Sequence, residues 1–247
     1  MTIAPAAIPT QLPFAAGGAV PVPVGTTLED MIAYVAREGI DDARIWGHLD
    51  ATDGAQLLSL LDQLDLVDAE KFDPDIHVSM KPKQFAADQS ARKGALFERI
   101  TYLLLNGVRC FQTLANITTA TNQLDVLVKL NPTSSIIPAL RGWGEFFICE
   151  CKFHDKGVDN TWLHKLKSIL DVHGAKVGIL IAKKGLSRTG RGGNQHHLVQ
   201  LMAAHDRYIL VFSRAELRQF AQKGKVLEHI IDKFITSKLG IPALLKE

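Results

Sequence analysis

The 247 residues are 47% hydrophobic and 22% charged, the profile of an ordinary globular chain, and no apolar run approaches the length that spans a bilayer. No basic stretch followed by an apolar one opens the chain, so no secretory leader is expected, and Cys110, Cys149 and Cys151 form no CxxC pair. Buried reduced thiols and a cytoplasmic location are the expectation. The net charge of +2 conceals an asymmetry: residues 1–88 hold 14 Asp/Glu against 5 Lys/Arg, and residues 89–247 hold 12 against 23. An acidic front and a basic back suggest two domains with different partners, the basic one meeting a polyanion.

Residues 1–25 contain Pro5, Pro9, Pro13, Pro21 and Pro23, a density that suits a linker or ordered arm. Residues 26–87 read as a small all-α module. Thr26-Thr-Leu-Glu29 resembles a capping box opening a helix to about Arg37, a short helix covers 42–48, and the leucine-rich segment from Ala55 gives a third. A helix-turn-helix is one reading. The segment offers almost no Arg or Lys to meet DNA, however, so docking to a protein partner or regulation is preferred. Phe72 to about Phe85 reads as the connection, and deletion of 1–85 is expected to spare whatever the remainder does.

From Asp88 to residue 247 the pattern is α/β. An amphipathic helix through Lys93–Leu105 stops at Asn106-Gly107, and strands are predicted at 108–114, 123–130 and 146–153. A helix over 162–172 ends at Gly174, and Val177–Ala182 is apolar throughout, as in a strand buried on both faces. A helix at 196–204, a strand at 208–212 and helices at 214–221 and 226–238 close the chain. That order implies a mixed sheet covered by helices.

Asp125 interrupts an apolar strand, and Glu150 and Lys152 share one face of the strand ending Phe-Ile-Cys-Glu-Cys-Lys. Taken singly, each reads as a strand salt bridge. Two neighbouring antiparallel strands would bring Asp125 beside Glu150, and paired carboxylates repel unless a cation lies between them. Oxygen donors suit Mg²⁺ or Mn²⁺. Lys152 could then orient or deprotonate a water or stabilise developing charge, with Glu98 supplying another carboxylate from the preceding helix. Cys149 and Cys151 alternate with Glu150 and are expected on the packing side.

Glu98, Leu124-Asp125 and Glu150-Cys151-Lys152, on a helix-strand-strand-strand order, resemble the PD-(D/E)xK nuclease superfamily. Glu150-Cys-Lys-Phe, followed by Leu163 through the Gly174-Ala-Lys-Val-Gly178 step into an apolar strand, is similar more narrowly to the Mrr-type restriction endonuclease domain. The resemblance covers about Asp88 to Leu227. It implies a restriction-endonuclease-like sheet and Mg²⁺-dependent hydrolysis of DNA phosphodiesters, in restriction or defence against foreign DNA. Asp125, Glu150 and the backbone carbonyl of Cys151 would hold the metal, Lys152 would be the catalytic lysine, and Glu98 would match the helix carboxylate. Leu124 stands where the motif has proline. The glutamine that Mrr-like members often carry on the second helix is missing, its place falling to Trp162, His164 or Lys165.

Lys165 and the glycine-rich loop with Lys183, Lys184, Arg188 and Arg191 are the expected phosphate contacts, although a solvated loop would look the same. His154 and His164 sit near the site by sequence, His196-His197 read as surface residues, and Trp143 either packs or stacks on a base. Two readings compete with a restriction-type nuclease: a junction-resolving nuclease, and a non-catalytic DNA-binding or assembly subunit that retains the fold. Cutting both strands often takes two sites, so a homodimer is a further expectation.

Overall fold

A computed structural model of the chain describes residues 27, 29, 30, 33, 47–77, 79–187 and 205–239, in two compact units, Met1–Ile40 and Asp41–Glu247. In the first unit a capping box sits one residue later than expected: the Asp30 amide donates to Thr27 Oγ1 at 3.2 Å, and the Thr27 amide donates to the Asp30 carboxylate at 2.9 Å. The arm at 1–25, most of the helices expected at 26–37 and 42–48, and the helix expected at 196–204 lie outside the described residues.

Within Asp41–Glu247, α1 spans Ala51–Ala69, with the Asp50 carboxylate accepting from the Asp53 amide at 2.7 Å. Leu57, Leu60, Leu61 and Leu64 recur at helical spacing and are buried. The next helix, α2, spans Pro82–Asn106 and starts earlier than the sequence suggested. Pro82 opens it, because a first-turn residue needs no amide, and the Gln84 side chain accepts from the Lys81 amide at 2.9 Å. The junction expected at Asp88 therefore falls inside a helix.

Among the described residues one sheet has the order β1-β2-β3-β4-β5, formed by β1 (Phe111–Thr118), β2 (Gln123–Leu130), β3 (Phe146–Lys152), β4 (Val177–Ala182) and β5 (Tyr208–Ser213). β1, β2 and β3 pair antiparallel, whereas β4 and β5 run parallel to β3. The mixed α/β sheet is as expected. The first strand starts three residues late, because the chain is still turning through Arg109-Cys110 as it leaves α2. The crossover from β3 to β4 is α3 (Asn160–His173), and α4 (Arg214–Lys223) and α5 (Val226–Leu239) follow β5.

One face of the sheet carries the larger core, where Val126, Phe147, Cys149 and Cys151 pack with Leu61 and Leu64 of α1, Phe97 and Leu104 of α2, Phe220 of α4 and Phe234 of α5. The other face carries Ile148, Leu180 and Val211 against Leu163, Leu166 and Leu170 of α3. So α1 belongs to the same hydrophobic core as the sheet. The Gly174-Ala-Lys-Val-Gly178 step also gains a physical reason. Gly174 ends α3 at φ +67°, and a Cβ on Gly178 would lie 3.0 Å from Leu170 and 3.1 Å from Leu166.

Much of the charge asymmetry resolves within this body. Asp62 and Asp65 of α1 pair with Arg218 at 2.8 Å each, and Asp65 also pairs with Arg214 at 2.5 Å. Asp68 pairs with Lys183 at 2.6 Å and Lys93 at 3.2 Å. The acidic front and the basic back thus meet each other, where the sequence suggested separate partners for each.

Candidate active site

The site forms where β2 and β3 part. Their ladder ends at Val126↔Cys149, and the next position would set Asp125 opposite Glu150. There the Asp125 carboxylate takes the backbone's place, its Oδ2 accepting from the Cys151 amide at 2.7 Å. β3 meanwhile stays paired with β4 through Glu150↔Leu180 and Lys152↔Ala182. Strand alternation then separates the side chains as expected. Cys149 and Cys151 enter the larger core, with the Cys151 thiol donating to Thr101 Oγ1 at 3.3 Å. Glu150 and Lys152 emerge on the α3 face.

Lys152 Nζ lies 2.7 Å from Glu150 Oε1 and 3.9 Å from Asp125 Oδ2, and Lys165 Nζ of α3 lies 3.5 Å from Glu150 Oε1. The Lys152, Asp125 and Glu150 side chains are 16%, 17% and 5% exposed, so their charges interact in a poorly solvated setting. Burial, then the charge of Glu150, pushes the Asp125 carboxyl above its ordinary value, against the Cys151 amide and the Lys152 and Lys165 ammoniums. Burial, then Asp125, does the same to Glu98 on α2; Lys152 opposes the shift and Glu150 adds to it. The three carboxylates and Lys152 therefore share one electrostatic field. Glu150 Oε2 is buried with no hydrogen-bond partner among the described residues.

That orphaned carboxylate oxygen and the surplus negative charge around it fit a hard cation with oxygen donors. Against this, no three His, Cys, Asp or Glu side chains among the described residues gather closely enough to hold an ion. A metal here would rest on two carboxylates, Asp125 and Glu150, with the Cys151 backbone carbonyl.

The other expected residues fall differently. Lys184 is exposed. Lys183 is not free to meet a phosphate in this arrangement, since Asp68 and Asp155 both pair with it, at 2.6 Å and 2.5 Å. Those two acids outweigh its burial and raise its pKa. Arg188, Arg191 and His196-His197 lie outside the described residues. Trp143 is a core residue, 0% exposed, with its ring 5.4 Å from Phe147 and 5.0 Å from Phe234, so it has no face to offer a base. Cys110, Cys149 and Cys151 are unbridged and buried, and burial pushes the Cys110 thiol up to about 12. Thiolate chemistry is closed to it near neutral pH.

Sequence reasoning named Trp162 and His154 without relating them. The structure stacks their rings 5.4 Å apart at 28°, with Lys152 Nζ 5.0 Å and Lys165 Nζ 5.3 Å from the indole centroid. A cleft of about 330 Å³ opens beside them, and Lys156 and Asp159 in its wall went unnoticed in the sequence. Asp159-Asn-Thr161 was the available signal, because a residue that caps a helix also fixes the first turn behind it. No known protein family, curated protein or solved structure matches the chain.

Proposed function

We propose that the chain is a metal-dependent endodeoxyribonuclease. The observation that carries the reading is the meeting of Asp125, Glu150 and Lys152 where β2 and β3 separate, with one Glu150 oxygen unpartnered. Asp125, Glu150 and the Cys151 carbonyl would hold Mg²⁺, with Mn²⁺ able to substitute. Such an ion lowers the pKa of water and offsets phosphate charge. Lys152 would orient an attacking water and stabilise the charge that develops on the phosphate oxygens. Its ammonium sits beside two carboxylates in a largely water-excluded position, where a fixed charge acts strongly. Lys165 is exposed at the rim, pointing its ammonium at the same carboxylate, and offers a contact to the phosphate backbone. Glu98, kept above its ordinary pKa, is a candidate to hold a proton or a bridging water at the edge of the cluster.

A second reading draws on a separate observation. Two carboxylates already engaged by an ammonium, with no third protein ligand gathered around them among the described residues, also describe a site that holds its charges for structure alone. The chain would then be a DNA-binding or assembly subunit on a nuclease-like scaffold. Incubation with plasmid, linear and single-stranded DNA, with and without Mg²⁺ or Mn²⁺, separates the two. Cleavage that needs metal and falls at least a hundredfold in Lys152→Ala and Glu150→Gln supports the nuclease, on the scale of roughly 10²-fold or more for a charge-stabilising group. DNA bound and never cut, or cut equally well by Lys152→Ala, supports the alternative.

A further inference from the structure

The cleft beside the candidate site has properties that phosphate hydrolysis does not use. It is lined by Lys152, His154, Asp155, Lys156, Asp159 and Trp162 among others, and its volume of about 330 Å³ lies at the small end of ligand sites. Its aromatic wall is fixed in place. The Asp159 carboxylate accepts from the backbone amides of Thr161 and Trp162, which locks the first turn of α3 and sets the half-buried indole at the mouth of the site. The charges around it are largely used up: Lys152 pairs with Glu150, Asp155 with Lys183, and Asp159 with the helix end. What remains is a flat aromatic surface in a recess close to neutral, with ammonium groups at the side facing Glu150. A flat heterocycle with a phosphate attached suits that arrangement; a phosphate alone does not. The exposed His154 ring already lies on the indole, 5.4 Å away and 28° from parallel, as a stacked base would.

We propose that this cleft receives one unpaired nucleobase, stacked on Trp162 in the place His154 occupies, while the adjoining phosphate lies toward Lys152 and Lys165. The proposal rests on the nuclease reading of the adjacent site and adds a substrate class to it. A base inside a duplex is stacked between its neighbours and cannot enter a recess of this kind. The preferred substrate is therefore a single-stranded segment, a frayed end or a duplex with a base turned out.

The test uses the full chain in EDTA with a fluorescently labelled single-stranded DNA oligomer, read by anisotropy, beside an oligomer of the same length with every base removed. Trp162→Ala weakens binding of the intact oligomer roughly 5- to 150-fold, the range for loss of one base–aromatic stack. Trp162→Phe keeps most of the affinity, and the difference between wild type and Trp162→Ala vanishes on the base-free oligomer. His154→Ala binds the intact oligomer at least as tightly as wild type. The proposal is overturned if Trp162→Ala, with an unchanged melting temperature, binds the intact oligomer as wild type does. It is overturned equally if that variant loses as much on the base-free oligomer, or if His154→Ala binds more weakly. Cleavage is scored separately with Mg²⁺. A chain that binds bases through Trp162 yet cuts nothing defeats the nuclease reading alone, and one that cuts without any Trp162-dependent base term defeats this proposal alone.

Discussion

Replacing Leu61 and Leu64 together by alanine tests whether α1 is part of the body that carries the site. Both side chains are 0% exposed and lie in the core that also holds Phe97 of α2, Phe220 of α4 and the Cys149–Cys151 face of β3. Each truncation removes buried apolar surface and leaves a cavity, at about 2–5 kcal/mol apiece. The two sites sit nearly one helical turn apart and share neighbours, so the sum is only approximate, roughly 5–8 kcal/mol. Domains of this kind have stabilities of about 5–15 kcal/mol. The double variant is therefore expected to lose most of its stability, read as a large drop in the urea midpoint of the far-ultraviolet circular dichroism signal. By the same reasoning a chain beginning at Asp88 would lack the core residues Leu49, Leu57, Leu60, Leu61 and Leu64 and the opening turn of α2, and would not fold cooperatively. A separate docking module would behave otherwise, since its loss would leave the rest untouched. An unchanged urea midpoint in the double variant, or a sharp melt from residues 88–247 alone, would refute the reasoning.

Two further outcomes follow from the charges. Asp125 has a folded pKa above its ordinary 3.8, so the stability it contributes is complete below that value and is lost as pH rises through the folded pKa. Asp125→Asn should thus cost little or even raise the melting temperature at neutral pH while abolishing the proposed metal-dependent cleavage; a variant both destabilised and active would contradict that proposal. Asp68 has the opposite sign: burial raises its pKa, but hydrogen bonds from Lys183 and Lys93 prevail and hold it below 3.8. Its contribution is present above 3.8 and disappears as pH falls through the lowered folded value. Asp68→Asn is expected to cost about 1 kcal/mol, less at high salt, in thermal melts across a NaCl series. A cost that salt leaves unchanged would show that the ion pairs carry none of it.

The sheet side of the chain was readable because its signals are local. Val177–Ala182 is apolar at every position, Gly174 ends a helix, and Glu150 and Lys152 alternate with two cysteines; each pattern maps onto one element without reference to any other. Asp125, on one strand, and Glu150 and Lys152, on the next, could be set side by side by the same logic, since the pairing needs only that consecutive strands be antiparallel neighbours, even across the long connection from Asn131 to Glu145. The helical front misled for the opposite reason. Pro82 lies in the stretch that reads as a connection from Phe72 to about Phe85, yet it opens α2, in the first turn where proline is tolerated. The leucines of α1 gave no hint of which surface they cover. The acids of α1 pair with residues about 150 positions later, a relation that composition presents only as imbalance. Trp143 and Trp162 could not be told apart by sequence either, as both sit in polar surroundings and only the packing of Phe147 and Phe234 removes one of them from the surface.

The pairing of Asp62 and Asp65 with Arg214 and Arg218 spans 149 to 156 positions, and it sets a timetable for the chain as it is made. The surface of α1 that faces α4 has no cover until the arginines leave the ribosome, roughly 10–30 s after α1 itself at ordinary synthesis rates. During that interval an acidic, leucine-rich helix is exposed to solvent and to chaperones. Asp62 and Asp65 put charge on the waiting side of the helix before they serve as partners for Arg214 and Arg218.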